Sequence, residues 1–122
     1  MTYVPGDFAP SLIRALDIEG PLPANGRRPG ADTGDAQTGL LEIFRSEHVK
    51  FGVWECTPGG WEIENRVDTE TMFLLSGRVR LTTRGGEPIE LSSGDAFTLP
   101  RGWSGRWDVL ETVRKIYTVS TW

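Results

Sequence analysis

One cysteine and one histidine are all this 122-residue chain holds of the two side chains that most often bind zinc and other soft or borderline metals. Cys56 alone excludes an intramolecular disulfide and a thiolate zinc site. Paired cysteines, common in secreted domains of this size, are missing. No apolar stretch approaches the roughly 20 residues that span a bilayer. The opening Met1-Thr2-Tyr3-Val4-Pro5-Gly6-Asp7 lacks the basic-then-apolar pattern of a secretion leader, so a cytoplasmic location is expected. Basic excess is absent too: the net charge is −4, which argues against nucleic acid or an anionic membrane as the main partner. What remains is one ordinary globular domain, able to bury roughly two-thirds of the surface its unfolded chain exposes.

Residues 1–38 are rich in Pro, Gly, Asp and Asn and read as an irregular N-terminal arm. Within it, Ser11 could cap a short helix built on Leu12, Ile13, Ala15 and Leu16. Gly20 to Gly39 holds three prolines and five glycines with no periodic pattern. From residue 39 to 122 the texture changes. Runs of β-favouring residues recur at 40–45, 49–57, 61–66, 70–76, 78–83, 88–91, 96–99, 105–109 and 113–120. Turn chemistry such as Pro58-Gly59-Gly60, Ser76-Gly77, Arg84-Gly85-Gly86 and Ser92-Ser93-Gly94-Asp95 separates them. Short strands without helix-length patterns between them predict an all-β, antiparallel closed barrel or jelly roll.

Two glycine-punctuated boxes stand out. The first runs from Glu70 through Thr71-Met72-Phe73-Leu74-Leu75-Ser76 to Gly77; the second runs from Gly94-Asp95 to Pro100, Gly102 and Trp103. The pair resembles the two motifs of the cupin superfamily over residues 50–120. More narrowly, Gly52 to Gly59 and the string Trp107-Asp108-Val109-Leu110-Glu111-Thr112-Val113-Arg114-Lys115-Ile116-Tyr117 resemble small single-domain cupins. Those are similar to the cupin domain of (S)-ureidoglycine aminohydrolase and to ethanolamine-utilisation cupins. The resemblance implies an RmlC-like antiparallel jelly-roll barrel, commonly dimeric. A metal-binding cupin supplies two histidines and a glutamate from the first box and a histidine from the second. Here the histidine positions fall on Glu64, Arg66 and Gly105, and only Glu70 remains. One carboxylate beside a permanent cation does not hold a transition metal, so no metal and no cofactor is expected.

Glu70 opens a strand with Met72 and Leu74 on its face and Thr71, Phe73 and Leu75 on the other; both faces are expected to be buried. A carboxylate there must be paired, either with Arg66 or with Lys115, which shares strand parity with Val113, Tyr117 and Val119. Trp107, two residues past Gly105, would wall or plug the interior, with Trp54 beside it and Cys56 as a buried, inert thiol. His48 sits in a turn far from both boxes, so no Ser-His or Cys-His pairing forms around the barrel mouth. The acidic group Glu62, Glu64, Asp68 and Glu70 reads as a solvated rim, with an oxygen-ligated cation as the sharper alternative.

Three functions fit. One is a metal-free, small-metabolite-binding barrel whose ligand meets Arg66, Glu64, Trp54, Trp107, Lys115 and Tyr117. Another is a hydrolase or isomerase of a small nitrogenous or carboxylic metabolite, with Glu70 as the catalytic acid or base. The last is a structural or regulatory protein with a filled barrel. A homodimer is expected, in which the arm or an edge strand crosses to the second copy.

Overall fold

The structure, a computed structural model, describes residues 9–121. Residues 1–8, which include the stretch read as lacking a secretion leader, and Trp122 lie outside the described residues. One short helix, α1 (Ala15–Glu19), precedes nine strands: β1 (Ala24–Arg27), β2 (Ala31–Gly34), β3 (Gln37–Arg45), β4 (Val49–Cys56), β5 (Gly59–Ile63), β6 (Thr69–Thr83), β7 (Pro88–Ser92), β8 (Ala96–Leu99) and β9 (Gly105–Ser120). Every pairing among them is antiparallel. The sheet runs β1-β3-β4-β9-β5-β2, and β6 branches from it to pair with β7, β8 and β9. This curled sheet is the expected all-β jelly roll. No described helix is long and apolar enough to cross a membrane.

The two long strands β6 and β9 form the spine, paired from Thr69↔Ser120 to Thr83↔Gly105. β6 joins two runs that Ser76-Gly77 divides in the sequence, and β9 joins the runs at 105–109 and 113–120. Ser76-Gly77 is a bulge inside β6, not a turn. Its effect is a change of parity: Glu70, Met72 and Leu74 are buried before it, Val79 and Leu81 after it. Gly77 sits at φ +87° and so close to β9 that a Cβ would lie 2.1 Å from the Thr112 carbonyl oxygen. Only glycine fits both demands. The other face of β6 is not buried as expected; Phe73 is 43% exposed. β6 is therefore half-buried, as antiparallel strands commonly are.

The arm also differs from expectation. The helix begins at Ala15, four residues beyond Ser11, because the Asp17 carboxylate accepts the Arg14 backbone N–H and sets the cap there. The stretch from Gly20 to Gly39 is not irregular throughout. β1 pairs with β3, and β2 pairs with β5 through Ala31↔Trp61 and Gly34↔Gly59. Glycine facing glycine lets the two backbones close in, since a Cβ at Gly34 would meet the Gly59 Cα at 2.9 Å. The residues that suggested loop are those that permit the pairing.

The core is one cluster inside the curl, including Val79, Leu81, Leu99, Val109, Val113, Met72 and Leu74 with Trp61 and Trp107. It fills the end beneath the bulge and leaves the other end open. Gly77→Ala is expected to destabilise the fold by about 2 kcal/mol or more, since left-handed backbone and a steric overlap add. A urea midpoint unchanged from the parent would contradict this account of the bulge.

Candidate functional site

Across the open end, β6 and β9 place opposite charges in contact. Lys115 lies opposite Leu74 on β6 and opposite Trp54 on β4. Its ammonium reaches back along β6, four residues from Leu74, and donates to Glu70 Oε2 at 2.5 Å. Arg66, in the loop after β5, donates Nη2–H to Glu70 Oε1 at 3.1 Å and to Asp68 Oδ1 at 2.7 Å. Both cations thus hold Glu70, so the two alternatives for its partner occur together. Glu70 and Lys115 are buried, at 8% and 7% exposure. Burial pushes the Glu70 carboxyl up, but the Lys115 ammonium and Arg66 guanidinium outweigh it and hold the group below the usual carboxylate range.

Indoles enclose the pair. Trp61 and Trp107, directly opposite on β5 and β9, stack at 5.9 Å with 9° between their planes. Trp54 stands edge-on to both. The Lys115 ammonium lies 4.4 Å from the Trp54 ring centre and 5.0 Å from that of Trp107. Such contacts are worth about 2 kcal/mol when desolvated, and here two ring faces attract the one ammonium. Together these groups surround a cavity of about 290 Å³, near the lower end of small-molecule sites. Trp107 is a wall of it, not a plug.

The cavity gathers Glu70, Arg66, Trp54, Trp107, Lys115 and Tyr117. Glu64 is not among them. β5 turns Ile63 inward, so Glu64 follows Glu62 to solvent, where it faces Arg84 at 3.7 Å. Asn65 then takes the left-handed conformation at φ +49°, and the chain reverses to bring Arg66 inside. Burial raises the Tyr117 phenol, and it raises the Cys56 thiol to about 11, which keeps that sulfur a thiol. His48 lies in the β3–β4 turn, 3.8 Å from Glu47, and does not line the cavity. Sequence reasoning missed Trp61, Asn25 and Arg28. The parity signal for Trp61 was present, since Ile63 and Trp61 alternate with Glu62; Arg28 carried none, because it lies in the stretch read as arm.

The donor set does not fit the histidine-ligated metal of a metal-binding cupin. Both Glu70 oxygens already accept hydrogen bonds from cations. Arg66 and the outward Glu64 stand at two ligand positions. At the third, Gly105, a Cβ would lie 2.3 Å from the Thr82 carbonyl oxygen and 2.4 Å from the Trp103 ring, so no imidazole enters. Among the described residues no group of three His, Cys, Asp or Glu converges on a point.

Comparison with known proteins agrees with this architecture. The model of the EutQ-like cupin domain matches residues 45–117. No curated protein matches the chain. A protein of unknown function from Pseudomonas syringae pv. tomato is similar at 25% identity and TM-score 0.77; the match covers 86% of this chain and 46% of that one. The chain thus spans about half that protein's length. A DUF861 family protein from Thermotoga maritima shares 36% identity at TM-score 0.51, over 55% of this chain and 75% of its own. The EutQ protein of Clostridium difficile, 18% identical with TM-score 0.61 over 74% and 76%, shares the fold.

The depressed Glu70 carboxyl fixes a pH dependence. A folded-state pKa below the ordinary value of about 4.3 contributes stability above that pH, and the contribution is lost as pH falls through the folded value. Acid unfolding of the parent is expected to steepen below pH ~4. Glu70→Gln should flatten that limb while lowering stability at neutral pH, because Lys115 is left without its counter-charge; removing one partner of a buried pair costs about 3–5 kcal/mol. Parallel acid limbs in the two proteins would refute the assignment.

Proposed function

This chain belongs to the EutQ-like cupin domain family, and on that scaffold we propose that it binds a small polar metabolite inside the barrel without a histidine-ligated metal. The observation that carries this is the cavity itself: about 290 Å³, walled by indoles, with the Glu70, Lys115 and Arg66 heads turned into it. Apolar walls with a few convergent polar groups are what small-molecule sites consist of. The open volume weighs against a structural protein with a filled barrel.

A second reading is favoured by the Lys115–Glu70 contact, which opens onto the same cavity. There an ionised Glu70 exchanges protons with a nitrogenous or carboxylic metabolite during hydrolysis or isomerisation. The resemblance to the ureidoglycine aminohydrolase cupin supports that class. The reading includes a homodimer. β1 and β2 end the main strand order and offer unpaired edges, and Phe73 and Ile89 are exposed on β6 and β7. A monomer in sedimentation at micromolar concentration would count against the dimer.

Tryptophan fluorescence tests the binding reading directly, because Trp54, Trp61 and Trp107 line the cavity. Titration with small carboxylates, amides and ureas is expected to change the emission saturably. Leu40→Trp, at a half-exposed lining position, should fill the cavity and abolish binding while far-ultraviolet dichroism stays unchanged. A parent protein whose emission responds to none of the panel would refute the reading.

A further inference from the structure

Charge within the cavity does not balance. Arg66, Lys115 and Arg28 bring three cations to it, and Glu70 and Asp68 are the carboxylates that meet them. Three minus two leaves one positive charge. The surplus can be located. Arg66 contacts both carboxylates and Lys115 contacts Glu70, but among the described residues no carboxylate lies within ion-pair distance of Arg28. The Arg28 guanidinium instead lies over Trp61, 4.8 Å from its ring centre, and donates Nη1–H to the Pro29 carbonyl, a neutral acceptor; burial lowers its pKa from the ordinary value. A half-buried charge with no counter-charge is a cost that a bound anion would offset.

The same ring carries a second, independent sign. Trp61 is 2% exposed, and its Nε1–H is buried with no hydrogen-bond acceptor. An unsatisfied buried donor costs about 1–3 kcal/mol, and such groups are rare in folded proteins. A guanidinium without a carboxylate partner and an orphan N–H thus belong to two side chains in contact that line one cavity. Arg28 is also held in place. Arg106 on β9 donates to both Asp32 oxygens, at 2.7 and 2.9 Å, and to Thr33 Oγ1 at 3.2 Å, which clamps β2 to the barrel. The Arg28 backbone bridges into that strand through the Ala31 N–H and onward to the Ala36 carbonyl. The guanidinium is presented by an anchored turn.

We propose that Arg28 and Trp61 form an acceptor subsite for the carboxylate of a small monocarboxylate, which rests on the binding reading above and specifies its ligand. A carboxylate suits the donors: two oxygens can meet the fork of a guanidinium and one indole N–H. One negative charge cancels the surplus of one. A dicarboxylate or a phosphate dianion would over-compensate it and bring its second charge toward Glu70.

Paired probes test this in the intact protein: benzoate against benzamide, and pyruvate against succinate and inorganic phosphate, followed by calorimetry. Benzoate is expected to bind about tenfold or more tightly than benzamide, the difference that a charge-assisted pair contributes. Arg28→Gln should erase that ratio, weakening benzoate about tenfold more than benzamide. Arg28 is part-exposed on a turn, so the variant is expected to melt as the parent does. In nitrogen-proton correlation spectra, the one indole resonance missing from Trp61→Phe should shift on adding benzoate to the parent. If benzamide and benzoate bind alike, and Leu40→Trp removes both, the subsite is refuted and the cavity reading stands. Phosphate or succinate binding more tightly than the monocarboxylates, or a ratio that survives Arg28→Gln, refutes the subsite as well. No binding by any probe in the parent overturns both.

Discussion

Glu70 is the constraint around which the barrel is arranged. A carboxylate at 8% exposure is costly on its own, and two cations hold its two oxygens. That requirement reaches far along the chain. Lys115 must sit on the inward parity of β9, and Arg66 must be turned back inside by the left-handed Asn65. The β6–β9 register must hold Lys115 within reach across four residues of strand. The bulge at Gly77 then flips β6 so that Val79 and Leu81, not their neighbours, close the apolar end. One change of parity lets the same strand serve a charged mouth and a dry base.

The same triad decides which chemistry the interior can host. A divalent cation needs several converging donors with free lone pairs. Here the carboxylate lone pairs are engaged, and fixed cations occupy the space around them. The site keeps positive charge, but as ammonium and guanidinium groups that donate hydrogen bonds instead of accepting a ligand's lone pair into an open coordination position. Such groups recognise anions by geometry and charge. Lys115 is further restrained by two indole faces, which reduces the number of positions its ammonium can take.

Much of this was legible from residue order, and the misses have physical causes. Alternation along β9 placed Lys115, Trp107 and Tyr117 on one face, and the box spacing singled out Glu70. Ser76-Gly77 read as a turn because turn and bulge draw on the same glycine chemistry; only the partner strand, crowding the Gly77 Cα, distinguishes them. Glu64 was set inward because it falls on a histidine position of the first cupin box, yet alternation from Trp61 and Ile63 already turns it to solvent with Glu62. Strands β1 and β2 gave no periodic signal, since four residues each, mostly exposed, hold no alternation to detect. Arg28 was invisible for that reason.

That blind spot bears on where specificity resides. The family match spans residues 45–117 and contains Glu70, Arg66, Lys115 and three of the indoles: Trp54, Trp61 and Trp107. Asn25, Arg28 and Leu40 line the same cavity from before that span. The matched span therefore holds the buried ion pairs and the indole walls. The leading segment, whose β1 pairs with β3 and whose β2 pairs with β5, is clamped through Asp32 by Arg106 and is otherwise mostly exposed. Residues under weak folding constraint are free to be chosen for what they contact. On the binding reading proposed above, the positions least legible in the sequence are those best placed to select the ligand.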